Sequence, residues 1–365
     1  MSESKDQRYY WFALQTIPGL GAVRSNVLIK KFGSPQAALE APKSELKKIP
    51  DFGEKIAEAL KSGTDFDEAD RQIKLLDESG SKMVTISDTD YPQWLKQIYD
   101  PPIFLLLSGD LLPQDHTAVA IVGSRACTRY GRQIAEQLAG ELVGAGLTIV
   151  SGLARGIDSA AHRGALKAGG RTLGVLGCGL DVIYPPENKT LYADVSQSGA
   201  LVSEFLFGTK PEKYNFPSRN RIISGLCKGA ILIEAGRSSG ALLTAKHALD
   251  QNREVLAVPG NINSAASQGT NELLKQGAVP VTSSADVLLT LGLDPRSKPA
   301  KAATESLKLP EPEKKVLGCL TDQPQQVDRI SEALSQPVPK VLALLLNLEM
   351  AGLVRQMPGK LFLKS

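Results

Sequence analysis

The chain has 365 residues, 42% hydrophobic and 22% charged, with 42 Lys and Arg against 39 Asp and Glu for a formal net charge of +3. That length suits two or three domains, each able to bury a core, and the near balance of charge confines any basic surface to a local patch. Cys127, Cys178, Cys227 and Cys319 lie far apart with no C-x-x-C pair, and no histidine stands at ligand spacing, which speaks against metal or redox use and for cysteines as small buried fillers.

The N-terminus, Met-Ser-Glu-Ser-Lys-Asp, lacks the layout of a signal peptide, and no run of about 18 apolar residues suggests a membrane span. A cytoplasmic protein with no membrane partner is expected. Two related phrases mark residues 1–78. Ile17-Pro18-Gly19-Leu20-Gly21 and Ile49-Pro50-Asp51-Phe52-Gly53 each set glycine in a tight turn ahead of a helical pattern. Helix-hairpin-helix units look like this, and their hairpin amides meet a DNA phosphate. The second copy carries Phe52 and lacks the doubled glycine, so the segment reads either as a DNA contact or as a structural helical module.

Over residues 79–293 short apolar runs alternate with helix-length segments. Candidate strands fall at 83–86, 103–109, 118–123, 148–152, 171–177, 200–205, 230–235, 254–260 and 278–283. Nine strands joined mostly by helical connections predict a large, doubly wound α/β sheet. Right-handed crossovers bring the turns that follow parallel strands to one shared edge. Pro280 cannot donate to a ladder, which puts the last strand at the sheet margin.

Residues 294–312 are polar and proline-rich, as suits a linker. Helical patterns at 313–320, 326–334 and 340–351 then precede a hairpin made by 353–356 and 360–364. Three helices and a hairpin describe a winged helix over 313–365. From Arg296 onward eleven Lys and Arg stand against seven Asp and Glu, a balance that fits DNA contact, protein contact or simple packing alike.

Four glycine-rich turns each follow an apolar run and precede a helical pattern: Gly123-Ser124-Arg125, Ser151-Gly152-Leu153-Ala154-Arg155-Gly156, Gly177-Cys178-Gly179 and Ser238-Ser239-Gly240. Backbone N–H groups freed by glycine and aimed by helix N-termini attract anions, so a phosphate-bearing ligand is expected at the shared edge. The dinucleotide fingerprint G-x-G-x-x-G is incomplete at every turn, and no G-x-x-x-x-G-K-[ST] occurs. Only His116, His162 and His247 offer imidazole, and there is no nucleophile elbow or metal cluster, so no catalytic residue, cofactor or metal is assigned. His162 and His247 sit in alanine-rich helical patterns and read as packed side chains.

A nucleic-acid backbone explains more. Arg125 leaves its strand at the crest, where a guanidinium fork can grip phosphate oxygens, and Arg155 either does the same or pairs with Asp158. Residues 210–221, Lys-Pro-Glu-Lys-Tyr-Asn-Phe-Pro-Ser-Arg-Asn-Arg, interleave cations with two aromatics. Single strands are held by such mixtures, bases stacking on rings and cations tracking phosphates. Lys213 and Phe216 lead this set. Phe216 as core, and Arg219 and Arg221 as surface or ion-pair groups, remain open readings, with Glu204 and Glu234 as strand-end acids in need of partners.

Taken together, these phrases resemble the DNA-processing protein A family. The resemblance rests on Ala120-Ile121-Val122-Gly123-Ser124-Arg125 with Tyr130-Gly131, residues 150–158 with Ala161-His162, Gly179-Leu180-Asp181-Val182-Ile183-Tyr184-Pro185, Ser203-Glu204, residues 216–223, Glu234-Ala235 with Ser239-Gly240, and residues 253–260. They stand in the family's order across about 170 residues, and the flanking segments fit its longer members. The resemblance implies an extended Rossmann domain between a SAM-like helical module and a winged helix. It implies a non-enzymatic recombination mediator of natural transformation that binds and protects single-stranded DNA and loads RecA past single-strand-binding protein. Carried over by motif, its DNA ligands would be Ser124, Arg125, Lys213 and Phe216, followed by Arg219; the glycine turns and the cation-rich segment add Gly123, Gly152, Arg155, Arg221, Ser239 and Gly240 to the expected single-strand site. Its homodimers form through the late Rossmann segment, where 278–283 is the candidate edge. The rival class is a phosphoribohydrolase-like enzyme, loosely suggested by Glu234 near Ser239-Gly240. A third reading is an interaction scaffold in which the terminal domains matter most.

Overall fold

The computed structural model describes residues 6–294, 310–320, 325–334, 336–350, 354–357 and 361–364. The chain divides into two compact units, Met1–Lys298 and Pro299–Ser365. The expected linker at 294–312 lies almost wholly outside the described residues.

Six helices open the first unit: α1 (Gln7–Gln15), α2 (Ala22–Phe32), α3 (Pro35–Glu40), α4 (Lys43–Leu46), α5 (Glu54–Ser62) and α6 (Phe66–Glu78). Both hairpin phrases sit where expected, with Gly21 capping α2 and Gly53 capping α5. Gly19 and Asp51 occupy equivalent places with φ of 77° and 64°, so the second turn makes its left-handed residue from aspartate, a type that tolerates it. Phe52 replaces Leu20 as the buried residue between them. These helices share one core with the sheet, Phe12 and Leu76 joining Phe104, Leu106, Leu153 and Leu201, so the expected boundary near 78 marks a change of element type within one continuous core.

The nine strands are β1 (Lys82–Thr85), β2 (Phe104–Gly109), β3 (Ala118–Gly123), β4 (Thr148–Ser151), β5 (Thr172–Val175), β6 (Ala200–Ser203), β7 (Gly229–Ile233), β8 (Glu254–Ala257) and β9 (Val279–Pro280). They form one sheet in the order β1-β2-β6-β5-β4-β3-β7-β8-β9. All pairs from β6 to β9 are parallel; β1 and β2 are antiparallel additions at one margin. β5 to β8 stop two or three residues short of the expected ends, where the chain turns onto the crest. β9 is the opposite margin, as Pro280 required.

After the one-turn α7 (Gln93–Lys96), helices α8 (Arg129–Gly144), α9 (Ile157–Lys167), α10 (Lys189–Ser198), α11 (Asn215–Gly225), α12 (Ala241–Asp250), α13 (Gln268–Lys275) and α14 (Ser284–Thr290) connect the strands. Side chains alternate across each strand. Ala120 and Val122 of β3 and Leu232 of β7 pack with Ile222 and Ala245 of α11 and α12 on one face. Ile121 and Ile231 pack with Leu138 of α8 and Ala160 of α9 on the other. Both faces are thus covered, as a parallel sheet requires.

The second unit carries α15 (Glu311–Cys319), β10 (Gln325–Gln326), α16 (Val327–Leu334), α17 (Val338–Met350), β11 (Val354–Met357) and β12 (Leu361–Lys364). Val316, Ile330, Val341, Leu345 and Phe362 form its core, and β12 lies between β10 and β11. The three helices and hairpin of the expected winged helix are present; the turn at 358–360 lies outside the described residues.

Candidate nucleic-acid interface

Strand order reverses between β4 and β7, on either side of β3. In open α/β sheets the crevice beyond the strand ends at such a switch point receives ligands. Here a pocket of about 510 Å³ opens there, walled by residues 122–126 at the end of β3, by Gly236 and residues 238–241 at the entrance to α12, and by Phe216, Arg219 and Asn220 of α11.

One residue holds the Arg125 loop at both ends. The carbonyl of Glu234 accepts from the Ser124 N–H at 2.8 Å, while its carboxylate accepts from the Thr128 N–H at 2.7 Å and the Thr128 hydroxyl at 2.5 Å. Glu234 has φ of 53°. Leu153, at φ 54°, follows the Gly152 turn. Neither type favours that region, which costs about 1–3 kcal/mol each, and both residues lie at the crest. The Glu234 side chain is turned under the first turn of α8 against Gly131 and does not line the pocket, so it is not presented to a ligand beside Ser239-Gly240 as the phosphoribohydrolase reading requires.

Arg125 is exposed, its guanidinium 5.0 Å from the centre of the Phe216 ring. The half-buried ring packs over Gly177 and against Tyr184, with centroids 5.6 Å apart. Beneath it Arg219 is only 3% exposed. Its Nη1 donates to the carbonyls of Gly152, at 2.8 Å, and Val175, and its Nε donates to Asn220 Oδ1 at 3.3 Å. Its Nη2 lies over Gly152 and makes no hydrogen bond among the described residues, and the residue lines the pocket. Burial pulls the Arg219 pKa down, opposed by the charge of buried Asp158; burial likewise pushes the Asp158 carboxyl up, opposed by Arg219.

The glycine turns differ in what their amides do. The Gly152 N–H donates to Asp158 Oδ2 at 3.2 Å, and the Arg219 guanidinium fills the space where a Gly152 side chain would stand. The chain's own carboxylate therefore occupies the anion position at the start of α9, correcting the expectation that a ligand phosphate rests on the Gly152 amide. Glu234 similarly fills the start of α8. Gly123 is close-packed under Ile233 and Ile157, which admits no Cβ. At α12 no carboxylate intervenes. Ser239 Oγ accepts from the Ala241 N–H at 3.3 Å, and the N–H groups of Ser238 and Gly240 have no partner among the described residues, at a helix N-terminus facing the pocket.

Three expected residues lie elsewhere. Arg155 pairs with Glu187, not with Asp158. Arg221 is buried and bound to Glu204 at 2.5 Å and Asp100 at 3.0 Å. That ion pair was one of its two open readings, and Glu204 is the partner. Lys213 is exposed on the loop before α11, outside the pocket wall; Asn215 pins that loop by donating to the carbonyls of Gly177 and Lys210. Asn220, in the pocket wall, went unassigned in the sequence, although the Arg-Asn-Arg triplet names it. His162 is fully buried and held by burial at a pKa of about 3, hence neutral. Cys178 and Cys227 are buried, Cys127 and Cys319 half-buried. Among the described residues no set of three His, Cys, Asp or Glu side chains is arranged for a metal ion, and no helix is long and apolar enough to cross a membrane.

Fold and site define a Rossmann-like protein with a cationic, anion-attracting crevice at its switch point. The DNA recombination-mediator protein A family matches residues 82–292, its winged helix domain residues 298–360, and a SAM-like helix-hairpin-helix tandem residues 13–64. The chain is 33% identical to Protein Smf of Synechocystis sp. over 98% of both chains. It is 46% identical to DNA processing protein DprA of Streptococcus pneumoniae over 56% of this chain and 72% of that one. The solved DNA processing protein A of Streptococcus pneumoniae superposes with a TM-score of 0.69 at 35% identity, covering 78% of this chain and 98% of that one. The Helicobacter pylori DNA processing protein A, solved for its single-stranded DNA binding mode, gives a TM-score of 0.52 at 33% identity over 58% of this chain and 97% of that one. The chain belongs to the DNA recombination-mediator protein A family.

Proposed function

We propose that the crest pocket binds single-stranded DNA, and that the protein protects incoming strands during natural transformation and loads RecA onto them in the cytoplasm, past single-strand-binding protein. The observation that carries this is the grouping of Arg125, the Arg219 guanidinium, the open N-terminus of α12 and the Phe216 ring around one pocket. A phosphate would rest between Arg125 and the amides of Ser238 and Gly240, with a base against Phe216. Lys213 would meet the backbone just outside the pocket. Ser124, Gly123 and Glu234 shape the loop and Gly152 seats the Arg219 guanidinium, while Arg221 and Arg155 serve ion pairs within the chain, with Glu204 and Asp100 and with Glu187. Nothing in this role breaks a covalent bond, so the action is binding and hand-over, without catalysis. Kinship with the Helicobacter pylori single-strand binder supports the ligand, and membership of a recombination-mediator family supports the hand-over.

Adding the protein to single-stranded DNA already coated with single-strand-binding protein should speed the appearance of RecA filaments, measured by RecA ATPase or electron microscopy. Arg125→Ala should remove most of that gain. Unaltered filament growth in the presence of the unsubstituted protein would sink the mediator reading.

A further inference from the structure

The outward side of α8 and α9 carries charge that the crest site does not use. The two helices run side by side in register: Gly164 of α9 meets the Glu136 backbone, and a Cβ at Gly140 would lie 3.5 Å from the Gly164 carbonyl and 3.7 Å from Ala168 Cβ. Arg129 and Arg132 stand two turns and one turn above Glu136 in the same row of α8, and both are exposed. Arg163 and Lys167 immediately precede Gly164 and Ala168, and both are exposed. None of the four makes an ion pair among the described residues. Half-buried Glu136 is the acid on this side, while nearby Arg155 and Glu187 neutralise each other.

Arg129 and Arg132 also break a local rule. They occupy the first and fourth positions of α8, whose own first turn holds no acid, and the Glu234 carboxylate at its start is bound to Thr128 and pairs with neither arginine. Cations at the positive end of a helix are unfavourable, and unexplained local conflicts collect at functional sites. Arg125 lies four residues upstream, on the loop that enters the crest pocket. The row therefore continues downward from the pocket for about 15 Å at 1.5 Å per helical residue.

We infer that Arg129, Arg132, Arg163 and Lys167 form a second phosphate-binding track, which takes the backbone of the single strand as it leaves the crest pocket. This rests on the single-strand reading of that pocket and extends it: the pocket grips one or two nucleotides, and the track sets the length of strand bound and most of its salt dependence. The four side chains are cations and would meet phosphates, so no base reading is assigned to them.

The test compares dT4, which the pocket can hold, with dT20, which reaches the track, across a series of salt concentrations. In the triple variant Arg129→Gln, Arg132→Gln, Arg163→Gln, dT20 affinity should fall on the order of tenfold, and the slope of log affinity against log salt should flatten by about 2, given about 0.7 per lost single-strand phosphate contact. Affinity for dT4 should hold, and lysine at the same three positions should restore dT20 binding. An unchanged dT20 slope would overturn the track, as would an equal loss on dT4. Failure of the unsubstituted protein to bind either oligonucleotide would instead overturn the pocket reading, and the track with it.

Discussion

Arg125, Arg219 and Arg221 are chemically alike, and burial gives them different work. Arg125 is exposed over the Phe216 ring, Arg219 is 3% exposed in the pocket wall against Gly152, and Arg221 is 6% exposed between Glu204 and Asp100. A buried pair broken from one side leaves an uncompensated charge, which costs about 3–5 kcal/mol. Arg221→Ala should therefore lower unfolding stability by about that much in urea titrations, with the folded fraction keeping its DNA affinity. Phe216→Ala should do the reverse, removing a stacking face worth about 1–3 kcal/mol, a loss of roughly 5- to 150-fold in single-strand affinity, for a smaller loss of stability. If both substitutions affected only stability, the ring would have no place in the site. The sequence offered Arg219 and Arg221 as equals because they flank one asparagine; which of them meets Gly152 and which meets Glu204 depends on strands far away in the chain.

At the scale of elements, alternating strands and helices and the Pro280 margin were legible in the sequence, since period and proline chemistry are local. The occupancy of the helix N-termini was not. Glu234 caps the start of α8 from 106 residues away, and only the assembled sheet brings β7 beside β3. Of the four glycine turns, those before α8 and α9 are filled by the chain's own carboxylates, Glu234 from β7 and Asp158 from α9 itself, and the one at α12 is open. The margin at β9 has a consequence for assembly. Its two residues pair with β8 on one side, and one groove beside α12 and α13 exposes Ile262 at 84% and Leu249 at 59%. Apolar surface grouped this way marks interaction sites, and we expect a homodimer through this late segment by side-chain packing, since Pro280 has no N–H to share. Ile262→Asp should shift the mass in sedimentation from twice the 39.0 kDa chain toward one chain. A protein that sediments as a monomer before any substitution would contradict the dimer.

At the scale of the molecule, the helix-hairpin-helix helices and the nine-stranded sheet share a core, while the winged helix has a core of its own. The sheet gathers Arg125, Arg219, Phe216 and the open start of α12 around a single crevice, and the function proposed for the protein depends on a single strand entering there. The most direct measurement is equilibrium binding of the whole chain to a labelled dT20 oligonucleotide with excess unlabelled duplex, at about 50 and 200 mM salt, beside Arg125→Ala. We predict binding that survives the duplex and weakens as salt rises, with Arg125→Ala several-fold weaker and flatter in salt response by about 0.7. Displacement by duplex, or an Arg125→Ala protein with the same affinity and slope as the unsubstituted one, would contradict the crest site.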